Sequence, residues 1–182
     1  MKYFLFLLSI STILFSSTIN SSLLKVHATL VPKLLLMDYD FSKKTSDNLI
    51  SIVIAYDKVD YSSAKLLKIG IEQKYHNGLK SCQVAVKLIP YSKLSNSKNK
   101  VNLYYLFPTN KQNISKLVKK AKLSNTLTFS YITNDLQDGV MISVIVNSKV
   151  KPILNLDAIK SSDITLRPVL LEISKIYKKE EI

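Results

Sequence analysis

The stretch "LISIVIAYDKVDYSSAKLLKIGIEQKYHNG", residues 49–78, decides the fold class of this 182-residue chain. It opens with a largely apolar run, Leu49 to Ala55, in which only Ser51 is polar, and this run predicts a strand buried on both faces. Strands of this kind lie in parallel sheets that helices cover. After a polar turn the spacing predicts a helix whose apolar face comprises Ala64, Leu67, Ile71 and Tyr75. The stretch therefore predicts one strand–helix unit of an α/β fold.

The alternation of strand and helix continues on both sides of this unit. A short helix is predicted over Leu30–Phe41, and a longer one, capped by Thr109, follows the third strand. The further strands are predicted at Gln83–Ile89, Val101–Phe107 and Thr126–Tyr131. We therefore predict an α/β fold with a mostly parallel sheet flanked by helices.

The C-terminal part departs from this alternation. Two strands, residues 140–146 and 150–156, are joined through Asn147-Ser148 and must be antiparallel. Pro152 lacks an amide donor, which places the second of them at an edge or a bulge. The final helix is predicted from an apolar stripe, with Thr165 as its cap: Leu166, Leu170, Ile173 and Tyr177. The prediction is about six strands in one domain, residues 29–182, ending in an antiparallel hairpin and a helix.

Residues 1–28 have the layout of a secretory signal peptide: a basic start at Lys2, an apolar run, then small residues up to Ala28. Cleavage after Ala28 is one interpretation, and cleavage nearer to residues 17–21 is the other. An uncleaved membrane anchor is the alternative, but the apolar run is short for a span of about 20 residues. We predict export with cleavage, and a cut after Ala28 would also remove His27.

The chain is strongly basic, with a formal net charge of +13, and 47% of its residues are hydrophobic. Arg167 is the only arginine among 26 basic residues. A lysine-rich chain of this kind is typical of an AT-biased genome. The functional interpretations are an acidic partner surface or anionic lipid headgroups. Nucleic acid is not expected, because base-reading arginines and aromatic residues interleaved with basic ones are missing from the pattern.

No motif for catalysis or cofactor binding is present in the sequence, which contains neither a glycine-rich phosphate loop nor a nucleophile elbow. The histidines and the carboxylates do not have the spacing of a zinc or calcium site. Cys82 is the single cysteine, so it is either buried or paired between chains. We therefore predict a protein that is not an enzyme and has no cofactor and no metal.

Tyrosine is the one abundant residue suited to recognition, with ten in the chain. Tyr56 and Tyr61 flank the loop that follows the first strand, and Asp57 lies between them. Ligands of open α/β sheets bind at strand ends, and tyrosine combines apolar area with a polar tip. We predict that Tyr56, Asp57 and Tyr61 form a binding patch for a partner or ligand.

The C-terminal segment resembles the YfiR family of periplasmic proteins. The family pattern is matched by Gly139, Met141, Ile142, Leu154, Asn155, Leu156, Ala158, Leu170 and Leu171. The resemblance implies a periplasmic regulator that restrains an inner-membrane diguanylate cyclase, and thus cyclic di-GMP production, by binding the outer portion of that enzyme. It also suggests a homodimer. Family control by disulfides cannot apply within this chain, because Cys82 has no second cysteine.

Three residues of this segment are predicted to have structural roles. Gly139 is expected to adopt a backbone geometry that other residues avoid, or to allow close approach of a partner. Asn155 and Asp157 are expected to satisfy backbone groups where a strand passes into a helical segment. The alternative to a regulator is a periplasmic module that binds a small ligand in a pocket at the strand ends.

Overall fold

A computed structural model describes residues 19–45, 47–96 and 100–178. The predicted first strand is β1, Leu49–Tyr56. The other strands are β2 (Gln83–Pro90), β3 (Leu103–Leu106), β4 (Leu127–Ser130), β5 (Ile142–Val146), β6 (Val150–Leu154) and β7 (Lys175–Ile176). The helices are α1 (Ser21–Leu35), α2 (Phe41–Lys44), α3 (Tyr61–Lys74), α4 (Lys111–Leu123), α5 (Leu156–Lys160) and α6 (Pro168–Ile173). Short 3-10 helices comprise Lys58–Asp60, Tyr91–Asn96 and Thr133–Asp138.

Within the described residues the sheet has seven strands in the order β2-β1-β3-β4-β5-β6-β7. Every neighbouring pair is parallel except the hairpin β5–β6, so the predicted fold class is confirmed. The additional strand, β7, pairs only with Ile153 and Leu154. Pro152 therefore lies on the uncovered part of the outer edge of β6, where a missing amide donor costs nothing.

Burial on both faces of the sheet explains why β1 is apolar at nearly every position. On one face Ile52 belongs to the same buried cluster as Val31 of α1 and Leu67 of α3. On the other face Val53 belongs to a second cluster, which contains Leu117 of α4. Because side chains alternate along a strand, each face of β1 needs its own apolar residues.

Helix α1 begins earlier than the sequence predicts and passes through the proposed domain start at residue 29. Asn20 caps it by accepting hydrogen bonds from the amides of Ser22 and Leu23, and Leu24, His27 and Ala28 are buried in the fold. A cut after Ala28 would remove these side chains from the core, whereas a cut near residues 17–21 leaves the helix intact. Residues 1–18, which hold most of the predicted leader, lie outside the described residues.

The final helix is shorter than predicted. Helix α6 ends at Ile173, and Arg167, not Thr165, stands at its N-cap position. Tyr177 lies beyond β7, where its amide donates to the carbonyl of Leu154 at 2.8 Å. The edge of β6 thus provides the amide of Tyr177 with a backbone partner in place of the one that a continued helix would provide. In the described ranges no helix has the length and apolar character to cross a membrane.

Candidate functional site

The candidate site lies at the carboxyl ends of the parallel strands, where the strand order around β1 reverses. β2 pairs with one edge of β1 and β3 with the other. The loops that follow these strands therefore diverge, and open α/β sheets bind their ligands at such points. The residues predicted as a patch, Tyr56, Asp57 and Tyr61, all lie in the segment that leaves β1 here.

Beside the exposed Lys58, the exposed part of the site is aromatic and apolar. The rings of Tyr56 and Tyr61 are 5.7 Å apart between centroids and contact each other at a tilt. Tyr61 is 47% exposed, and Val59, on the short 3-10 helix between them, is 89% exposed. We name Tyr56, Val59 and Tyr61 the β1 tip. Exposed apolar side chains clustered on a loop are a feature of binding sites more than of solvated turns.

Hydrogen bonds hold the two diverging loops together beneath the β1 tip. The hydroxyl of Thr109, after β3, donates to Oδ2 of Asp57 at 2.6 Å. Nδ2 of Asn113 donates in turn to Oγ1 of Thr109 at 2.9 Å. Asn110, and not Thr109 as the sequence predicts, caps α4 by accepting from the amide of Asn113. The hydroxyl of Thr109 is therefore available to bind the carboxylate of Asp57 in the loop after β1.

Two carboxyl groups are buried behind this surface. Burial raises the pKa of Asp60, and the negative charge of Asp57 acts in the same direction. Burial also raises the pKa of Asp135, although the hydroxyl of Ser130 donates to its carboxylate and opposes that rise. Both groups lie close to the carboxyl ends of the strands.

Tyr91 connects the loop after β2 to the same region. Its buried hydroxyl donates to the carbonyl of Phe107 at 2.7 Å. Burial raises its pKa, and the carboxylates of Asp135, Asp57 and Asp60 add to this effect. The site is therefore a hydrogen-bonded framework of loops from β1, β2, β3 and β4 with apolar side chains on its surface.

This arrangement is suited to recognition. The residues at the strand ends are carboxyls, hydroxyls and amides that already bind one another, with apolar side chains outside them. Among the described residues no three His, Cys, Asp or Glu side chains lie close enough together to hold a metal ion. The geometry supplies a hydrogen-bonded framework that holds the exposed side chains in place.

The three residues with predicted structural roles lie away from the β1 tip. Gly139 follows the 3-10 helix Thr133–Asp138 with a φ of 94°, and a Cβ there would be 3.2 Å from Cγ1 of Val118. Asn155 caps α5, accepting from the amide of Ala158 at 3.0 Å. Its Nδ2 donates to the carbonyl of Leu136 at 2.7 Å. Asp157 lies in the first turn of α5 and does not occupy the cap position.

A groove of about 460 Å³ lies beside the hairpin β5–β6, at some distance along the sheet from the β1 tip. Its walls combine apolar and polar side chains: Thr133, Asn134, Gln137, Ile145, Ile153, Lys175, Ile176, Tyr177 and Lys178. The size is in the range of small-molecule sites.

Sequence reasoning missed Val59, Thr109 and Asp135 as parts of the site. The sequence predicts Thr109 as a helix cap, and Asp135 lies in a segment whose polarity indicates only a loop. Each nevertheless follows a predicted parallel strand by only a few residues. Their position just after a predicted parallel strand could have identified them, because the carboxyl ends of parallel strands meet at one edge of the sheet.

Comparisons with known proteins agree with the fold. A family model described as YfiR/HmsC-like matches residues 42–175. A search of the curated proteins found no match.

Two solved structures are similar to this one. A crystal structure of a conserved domain protein from Vibrio cholerae O1 biovar eltor has a TM-score of 0.60 and 14% sequence identity, over 85% of this chain and 60% of that chain. The ABC domain from Streptococcus pneumonia, solved in complex with L-Trp, has a TM-score of 0.53 and 12% identity, over 80% of this chain and 61% of that one. This chain thus spans less than two thirds of either solved protein. The likeness concerns the α/β architecture.

Proposed function

This chain belongs to the YfiR/HmsC-like family of periplasmic regulatory proteins, and from that premise we propose that it restrains an inner-membrane signalling enzyme by binding it outside the membrane. The enzyme is a diguanylate cyclase, so that release of this protein raises cyclic di-GMP in the cytoplasm. The protein itself carries out no catalysis and requires no cofactor.

The observation that carries this proposal is the β1 tip. Val59 is 89% exposed and Tyr61 47% exposed, although both belong to a loop that is fixed by the bond between Asp57 and Thr109. A rigid apolar surface loses little conformational entropy on binding, and tyrosine is enriched among residues that dominate interface energies. The β1 tip therefore has the properties of a protein-binding anchor.

Co-purification tests the proposed partner and the proposed surface together. We expect the protein to recover a membrane-bound cyclase from detergent-solubilised membranes of its own host after crosslinking. Val59→Asp places a charge at the centre of the anchor and should reduce recovery at least about tenfold, since loss of a central contact costs 2 kcal/mol or more. Recovery of no cyclase by the wild-type protein would contradict the proposal.

A matched variant separates loss of contact from loss of folding. Leu66 is 47% exposed on the outer side of α3, away from the strand ends. Leu66→Asp introduces the same charge on an apolar exposed position, and we expect it to leave recovery of the cyclase unchanged. Equal losses for Val59→Asp and Leu66→Asp would place the partner surface elsewhere.

A small-ligand module is the second candidate function, and the groove beside β5–β6 is the observation that favours it. Binding of a soluble metabolite there would raise the midpoint of thermal unfolding, and above the dissociation constant the rise would grow with the logarithm of ligand concentration. Lys175→Glu, at the groove, would abolish that shift, whereas Val59→Asp would retain it. If the protein is a regulator that uses the β1 tip, Val59→Asp should reduce recovery in the co-purification assay and Lys175→Glu should not.

Export and assembly complete the proposal. The family is periplasmic, and we propose that a leader cleaved near residues 17–21 directs this chain there, since helix α1 begins at Ser21. We also propose a homodimer, which analytical ultracentrifugation would detect as twice the mass of the mature chain.

A further inference from the structure

The outer face of α4 is the most one-sided charged surface among the described residues. The helix sequence, KQNISKLVKKAKL, contains five lysines and no acidic residue. Lys116 and Lys119 are exposed on successive turns, and Leu123, one turn further, is 82% exposed. These three side chains lie on one line along the helix, because the spacings of three and four residues follow its period. We name Lys116, Lys119 and Leu123 the α4 crest.

Packing on the inner side fixes the orientation of the α4 crest. Ile114, Leu117 and Ala121 are buried against the sheet. At the start of the helix Lys111 forms an ion pair with Asp138 at 3.0 Å, and near its end Nζ of Lys120 donates to the carbonyl of Leu94 at 2.6 Å. The helix cannot rotate without breaking these contacts, so the crest stays directed outward.

Neighbouring segments extend the positive surface. Lys93 is exposed and adjoins Leu94, whose carbonyl binds Lys120 of α4. Lys100 is exposed and adjoins Val101, whose carbonyl accepts from Thr126 just beyond the end of α4. The acidic side chain of Asp138 is paired with Lys111 in the first turn of the helix, away from Lys116 and Lys119. The surface around Lys116 and Lys119 therefore keeps a positive potential.

We propose that the α4 crest is a peripheral membrane contact that binds anionic phospholipid. The lysines lie against headgroup phosphates, and Leu123 enters the boundary between headgroups and acyl chains. An exposed leucine beside a row of lysines is the pattern of helices that lie on anionic bilayers. A protein partner would need a wider apolar centre with aromatic residues, and the crest offers one leucine.

The position of the crest suits a regulator of a membrane protein, although the lipid contact does not depend on that function. Helix α4 starts at the loop of Thr109 and Asn110, which supports the β1 tip. With α4 on the bilayer, the β1 tip stays near the membrane, where the outer portion of an inner-membrane protein emerges. A bilayer contact therefore raises the local concentration of the protein beside its partner.

Vesicle flotation tests the proposal with the full mature chain. We expect binding to vesicles of phosphatidylglycerol and phosphatidylcholine, no binding to phosphatidylcholine alone, and weaker binding as salt is raised. Lys116→Glu combined with Lys119→Glu should lower the partition constant at least about tenfold. Leu123→Gln should lower it by a smaller factor and leave the salt dependence unchanged.

The control reverses the same number of charges on the other face of the sheet. Lys65 and Lys74 are exposed on α3, so Lys65→Glu combined with Lys74→Glu gives an equal change in net charge. This control should retain most of the binding. Equal losses for both double variants, or no binding of the folded wild-type protein to anionic vesicles, would overturn the proposal. Binding to polyglutamate without binding to vesicles would overturn it in favour of an acidic protein. We expect the α4 variants to leave recovery of the partner from detergent unchanged. A failure of the lipid contact can therefore be distinguished from a failure of the proposed function.

Discussion

Nδ1 of His27 lies 2.7 Å from the hydroxyl oxygen of Tyr105 in the interior of the protein, and this contact joins α1 to β3. Tyr105 is fully buried and His27 is 1% exposed. Within the described residues Nε2 of His27 is buried without a hydrogen-bond partner. The imidazole is surrounded by the rings of Phe129 and Tyr131 as well as Tyr105. In this structure the side chain of residue 27 is therefore part of the core.

The first prediction concerns acid. Burial lowers the pKa of His27 from 6.5 to about 4. Between about pH 6.5 and pH 4 the unfolded chain binds a proton that the folded chain excludes, so the free energy of unfolding falls as pH is lowered through this window. The expected loss from this residue is about 3 kcal/mol. Denaturant titrations at several pH values measure it.

Comparison with His27→Gln isolates this contribution. The raised pKa values of Asp60 and Asp135 act in the opposite sense, because those groups stabilise the fold as pH falls toward 3.8. They are the same in both proteins and cancel in the difference. If the wild type and His27→Gln lose stability equally between pH 6.5 and pH 4, the claim that His27 is buried in its neutral form is refuted.

The second prediction concerns the hydroxyl of Tyr105. Tyr105→Phe removes the hydrogen bond and leaves both ring nitrogens of His27 without a partner, so we expect a loss of about 1 to 2 kcal/mol. Tyr61→Phe, at an exposed position, should change the free energy of unfolding by less than about 0.5 kcal/mol. Chemical denaturation at pH 7.5 compares the two variants, and similar values for both would argue against a structural role of the contact.

The third prediction concerns the start of the mature chain. A protein comprising residues 19–182 should fold, whereas one comprising residues 29–182 lacks the buried side chains of Leu24, His27 and Ala28 and should be unfolded or molten. Circular dichroism with thermal melting distinguishes these states. Mass spectrometry of the exported protein should give an N-terminus near residues 17–21. A native, cooperative thermal transition for residues 29–182 would contradict this prediction and would favour cleavage after Ala28.

The fourth prediction concerns the bond that holds the candidate site together. Thr109→Val keeps the shape of the side chain but leaves the carboxylate of Asp57 without this donor, so stability should fall by about 1.5 kcal/mol. Partner recovery should fall as well, because the loops of β1 and β3 become independent. Thr109→Ser retains the hydroxyl and serves as the control. Unchanged recovery by a folded Thr109→Val protein would show that the bond does not organise the binding surface.

The fifth prediction separates two residues that the sequence treats alike. Asn155→Ala removes the cap of α5 and the bond to the carbonyl of Leu136, and should cost about 2 kcal/mol. Asp157→Ala, in the first turn, should cost less than about 1 kcal/mol, since it loses only a favourable interaction with the helix dipole. Equal losses would mean that the cap has been assigned to the wrong residue.

The sequence predicts the sheet well because burial on both faces leaves an unmistakable pattern. The runs that form β1 and β3 are apolar enough to identify without knowledge of their neighbours, and the Asn147-Ser148 turn fixes the antiparallel hairpin. Helix α1 was harder to predict, since its first turns coincide with the small and polar residues that also end a leader. Tyr177 continues an apolar stripe by spacing, yet the free edge of β6 binds its amide.

The candidate site was predictable only in part for a different reason. Tyr56, Asp57 and Tyr61 are neighbours along the chain, so a single loop brings them together. Thr109 lies 52 residues from Asp57 and reaches it only because β1 and β3 pair in parallel with their ends in register. Contacts of this kind follow from the strand order, which the local sequence does not contain.

The most direct measurement of the central claim is the cyclic di-GMP level in cells that lack this protein and are complemented with its variants. Deletion should raise cyclic di-GMP, the wild type and Leu66→Asp should restore the low level, and Val59→Asp, exported and folded, should fail to do so. An unchanged cyclic di-GMP level after deletion, in cells in which the protein is normally exported, would contradict restraint of a cyclase.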